Sequence, residues 1–78
     1  MRDADWFYKS ILDVRKNRHL GYGENVTSAI KIYSEIDSPE ERREYQRALE
    51  MMLQSSNPQD REYAVNLCLG FFVFRDSV

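Results

Sequence analysis

Few residues in this chain could do chemistry, and the partners that chemistry would need are missing around them. His19 is the single histidine. It follows Arg15, Lys16 and Arg18, with no Glu-x-x-His or Cys/His pair to make a metal site. At the basic end of a helix, its expected role is to complement the helix dipole. Cys68 is the single cysteine, which excludes an internal disulfide and a cysteine-based zinc site. A nucleophilic thiol needs an electropositive, accessible setting. Cys68 instead has Ala64, Leu67 and Leu69 as neighbours, and a buried, inert thiol is expected. Glu40 and Glu44 stand one helical turn apart and could share a cation, but Arg43 and Arg47 beside them favour a solvated charged face. Gly21-Tyr22-Gly23 runs into acidic Glu24 and lacks the further glycine and lysine of a phosphate loop. The expectation is a non-enzyme with no catalytic, cofactor-binding or metal-binding residue.

Arginines raise the question of nucleic acid. Arg15, Lys16, Arg18 and His19 cluster, and Arg42, Arg43 and Arg47 follow a short connection at Asp37-Ser38, as in a helix-turn-helix. Glu40, Glu41, Glu44 and Glu50 interleave with the second group and would face the phosphates. Over the whole chain, 11 Lys and Arg stand against 13 Asp and Glu, a net charge of −2. That balance is too small for electrostatic capture of DNA or of an anionic membrane, so neither is expected as a partner.

The elements that carry these residues read as helices. Seventy-eight residues, 42% apolar and 31% charged, suit a single folded domain over 1–78. A first helix is predicted from Asp3 to His19, capped by Asp3 or Asp5, with Phe7, Ile11 and Val14 inward, Tyr8 and Leu12 widening the stripe, and Gly21 and Gly23 breaking it. A second is predicted to begin at Asn25 or Thr27 and to stop before Asp37, burying Val26, Ala29, Ile30 and Tyr33. Ser38-Pro39-Glu40-Glu41 opens a third, with Ser38 as N-cap, Pro39 at the first position and Glu41 reaching back to the Ser38 N–H. Its expected inner face is Tyr45, Ala48, Leu49, Met52 and Leu53. Asn57-Pro58-Gln59-Asp60 opens a fourth, whose apolar run from Tyr63 to Phe74 falls short of the ~20 residues that span a bilayer; a short buried strand from Leu67 to Phe74 competes, and the Pro-led start and the position of Ala64 favour helix. With no apolar run behind a basic start at Met1, a cytoplasmic protein is expected.

The last two helices repeat one scheme. Ser38, Pro39, Glu41 and Arg42 recur nineteen residues on as Asn57, Pro58, Asp60 and Arg61. In the same frame Tyr45, Ala48, Leu49, Met52 and Leu53 fall on Ala64, Leu67, Cys68, Phe71 and Phe72. The stretch from Leu53 to Phe71, with Asn57-Pro58, Arg61, Ala64, Leu67 and Leu69-Gly70, resembles a HEAT-type helical repeat. That resemblance implies an α-helical interaction scaffold. The fold expected is all-α: four short antiparallel helices, HEAT-like or an orthogonal bundle.

One feature of the fourth helix points to function. Gln46, Glu50 and Gln54, outward on the third helix, correspond to Val65, Leu69 and Val73. A small domain rarely leaves such a row in water. Either the first two helices cover it, the stronger expectation, or another chain does, which makes Val65, Leu69 and Val73 the candidate protein interface. The function expected is non-catalytic protein binding, of the kind a toxin-neutralising immunity protein or a regulatory adaptor performs. A helix-turn-helix regulator and a self-associating helical-repeat fragment are the alternatives, and the partner is another protein or a second copy of the chain.

Overall fold

A computed structural model describes the backbone of residues 1–17, 19 and 21–76, and side chains through Gly70 except those of residues 18, 20 and 22. Four helices follow in order: α1 (Ala4–Arg15), α2 (Tyr22–Ser34), α3 (Pro39–Leu53) and α4 (Pro58–Asp76). The fold is all-α, with no strand among the described residues. None of the described helices is long and apolar enough to cross a membrane.

The first two boundaries differ from the sequence expectation. Helix α1 begins as expected, the Asp3 carboxylate accepting from the Trp6 N–H at 2.9 Å. It ends at Arg15, four residues early, because the Val14 carbonyl is taken by the Asn17 N–H at 3.0 Å and by the Asn25 side-chain amide. Lys16 and His19 therefore lie beyond the last turn, and Arg18 lies outside the described residues. Helix α2 starts at Tyr22, before the predicted Asn25 or Thr27. Gly21 serves as its N-cap and its carbonyl accepts the Asn25 N–H at 2.9 Å, so Gly23 sits in the first turn and breaks nothing. Glycine is tolerated at a cap, and the Asn25 side chain is used in the core instead.

Helix α3 starts where Ser38-Pro39 places it, with Ser38 Oγ accepting from the Glu41 N–H at 3.3 Å. The reciprocal half of the capping box is replaced. The Glu41 carboxylate turns to Arg2, accepting from its backbone N–H at 3.0 Å and its Nε at 2.7 Å. These bonds hold the Glu41 carboxyl below its ordinary range. The Arg2 guanidinium also lies over the Trp6 and Phe7 rings of α1, while its bonds to Glu41 fasten the N-terminus to α3.

Helix α1 packs on α2 and α3, and α4 packs on the same two from the far side, so the four helices close a ring 29 × 29 × 20 Å across. Phe7, Ile11, Ile36, Tyr45, Met52 and Leu67 fill it as its largest fully buried side chains. Each such burial stabilises by roughly 1.5–3 kcal/mol. Tyr45 sits at the centre, edge-to-face with Phe7 at 5.5 Å and Tyr33 at 5.2 Å, while its hydroxyl donates to the Ala29 carbonyl at 2.8 Å. Leu53, expected inward, is 39% exposed at the last residue of α3.

Candidate functional site

Two polar contacts set the rotation of α4, and through it the surface the helix presents. Asn57 caps the helix through its Oδ1, which accepts from the Gln59 N–H at 2.9 Å. Asp60, expected only as an acidic first-turn residue, is buried and pairs with Arg15 at 2.8 Å, with Ser55 Oγ at 3.4 Å on its other oxygen. One turn on, the Tyr63 hydroxyl donates to the Asn25 Oδ1 and lies 3.3 Å from the Asn25 carbonyl. Asn25 and Tyr63 are both buried. A buried polar group without a partner costs about 1–3 kcal/mol, so the Tyr63–Asn25 hydrogen bond draws residue 63 inward, while Asp60 is held by charge attraction to Arg15 in a pair that leaves Asp60 Oδ1 and Arg15 Nε without a hydrogen bond.

That rotation corrects the repeat frame. Tyr63, Ala64 and Leu67 face the core, and Cys68, matched by the repeat to buried Leu49, is exposed. The expectation of a buried thiol is overturned, because the helix turns toward the Asp60–Tyr63 side. Partial burial still pushes the Cys68 thiol up from its ordinary range, the reverse of what activates a nucleophile. The side chains of Phe71 and Phe72 lie outside the described residues.

Cover of the apolar row by the first two helices is also overturned for the residues described. Val65 is 47% exposed and Leu69, one turn on, 61%. The side chain of Val73 lies outside the described residues. Helix α2 meets α4 along Gly70 instead. A methyl built on Gly70 would collide with Ile30 Cδ1 and touch Val26 Cγ1 at 3.8 Å. The missing side chain lets α2 approach there, and the row of Val65 and Leu69 faces away from that contact.

The other candidates are dispersed. His19 is exposed, its N–H donating to the Asn17 side chain at 3.0 Å. Glu40 accepts from Ser38 Oγ at 2.8 Å, which lowers its pKa, and Glu44 pairs with Arg47 at 3.3 Å. Among the described residues no three His, Cys, Asp or Glu side chains gather to hold a metal ion. On the suggested DNA-binding side, Arg42 donates to the Ile36 carbonyl at 3.0 Å and lies over the Tyr33 ring. Arg43 is exposed and Arg47 is engaged by Glu44. Sequence reasoning missed the Arg15–Asp60 and Asn25–Tyr63 contacts. The available signal was the phase of Asn25, one turn before buried Ala29 on the inner side of α2.

Compared with family models, characterised proteins and solved structures, the chain matches none.

Proposed function

We propose that this chain is a non-catalytic protein-binding module whose docking surface is the outer side of α4, carried by Val65 and Leu69. The observation behind this reading is the exposure of Leu69, 61%, beside Val65, 47%, on a helix whose opposite side is core. Large apolar side chains grouped on one open face mark a site that another surface covers. The packing order is α1 on α3 and α2 on α4, with α1 on α2 and α3 on α4, and the reading takes it as two stacked helix pairs. A small protein of this kind acts by covering its partner, as immunity proteins and adaptors do.

Leu69→Glu tests the reading. Its circular dichroism and urea midpoint should stay within experimental scatter of wild type, because the side chain stands in water. Tagged chain incubated with extract of its own source cells should retain a protein that Leu69→Glu loses and Met51→Glu, an exposed control on α3, keeps. Capture that survives Leu69→Glu, or a Leu69→Glu chain that unfolds, overturns the proposal.

A further inference from the structure

We infer that residues 1–3 form an acid-released strap: Arg2, bound to Glu41 of α3, holds the strap down over Phe7, and protonation of Glu41 lets it go. Glu41 accepts from the Arg2 backbone N–H at 3.0 Å, from its Nε at 2.7 Å and from its Nη2 at 3.5 Å. The guanidinium lies 5.1 Å from the Trp6 ring centre and 5.2 Å from that of Phe7. Phe7 is fully buried, with Tyr45 edge-on to it at 5.5 Å on the core side, whereas Trp6 beside it is 45% exposed. Arg2, itself partly exposed, thus stands between the Phe7 ring and water.

The charge on Glu41 is the latch. An exposed ion pair contributes little by itself, but the Glu41 side chain is only 16% exposed and one of its donors is a backbone N–H. The charge-assisted bonds therefore fix the strap's backbone as well as its side chain. A protonated Glu41 loses the attraction for Arg2 and turns one oxygen into a donor facing donors. The Arg2 side-chain bond first, and the Arg2 backbone bond second, hold the Glu41 carboxyl below its ordinary value of 4.5. Closure is then complete above that value and lost as pH falls through the lower folded one. The Met1 amine adds a weaker attraction. The neighbouring carboxylates are engaged elsewhere: Glu40 accepts from Ser38 Oγ and is drawn to Arg43, and Asp3 accepts from the Trp6 N–H. Of the other charged groups in the first half of α1, Asp5 and Lys9 are exposed.

Trp6, the single tryptophan, reports the strap. Acrylamide quenching of its fluorescence in the full chain should rise in one step as pH falls below 4.5, with the helical circular dichroism unchanged. Glu41→Gln mimics the protonated carboxyl and should show the raised quenching already at neutral pH, with no step. Arg2→Ala, which leaves the Ser38 cap intact, should read the same. Glu40→Gln should keep both the neutral value and the step, as should Asp3→Asn, since asparagine still caps α1. A wild type without the step, or one whose step comes only with loss of circular dichroism, overturns the inference. So does a Glu41→Gln or Arg2→Ala chain that quenches like wild type at neutral pH, or a step abolished by Glu40→Gln or Asp3→Asn.

Discussion

Asn25 and Tyr63 show what a single buried contact does in a chain this small. The Tyr63 hydroxyl answers the buried Asn25 side chain, whose amide in turn answers the Val14 carbonyl, so three helices meet at one residue. Tyr63→Phe removes the donor and leaves Asn25 Oδ1 without it in the core. The expected cost is about 1–3 kcal/mol, read as a lowered urea midpoint with unchanged slope. Cys68 makes the opposite case at the surface. Being exposed, it should be labelled by a neutral thiol reagent in dilute native protein without denaturant. Its pKa is raised by partial burial, so the labelling rate should go on climbing as pH passes the ordinary thiol value of 9.0. A native thiol that reacts only in denaturant would contradict the rotation of α4.

At the scale of the element, capping explains why α3 begins where it does. Ser38 Oγ accepts the Glu41 N–H, and Pro39 supplies a first residue with no N–H to satisfy. Ser38→Ala should cost roughly 0.5–2 kcal/mol in a urea titration, and Ser38→Gly less. Equal stability of Ser38→Ala and wild type would show that other contacts hold the helix end. The pairing of Glu41 with Arg2 gives this helix start a second function, since it ties down the N-terminal residues that precede α1.

For the whole molecule, the approach of α2 to α4 at Gly70 decides which surface stays open. Gly70→Leu should force the two helices apart at Ile30 and cost about 1–3 kcal/mol. Ile30→Ala in the same chain should recover part of that loss, which a urea titration of both variants would read. Gly70→Ala should be nearly neutral: it collides only with the flexible end of Ile30, and alanine offsets this by about 0.5–1 kcal/mol of helix preference over glycine.

The sequence by itself determined four helices, the caps of α3 and α4, and most of the inner residues of α1 and α3, and it narrowed the cap of α1 to Asp3 or Asp5, of which the structure uses Asp3. These are local matters of spacing, dipole and turn chemistry, visible within a few neighbouring residues. Only the tertiary structure decided where α1 stops, where α2 starts and how α4 is rotated. Each depends on a polar partner distant in sequence: Val14 with Asn25, Asp60 with Arg15, Tyr63 with Asn25. The repeat frame placed Cys68 inside because it compared apolar patterns, and apolar residues lie all round α4. Such a helix has no preferred inward side of its own, so the buried hydrogen bonds and the gap at Gly70 choose it, leaving Val65 and Leu69 in solvent.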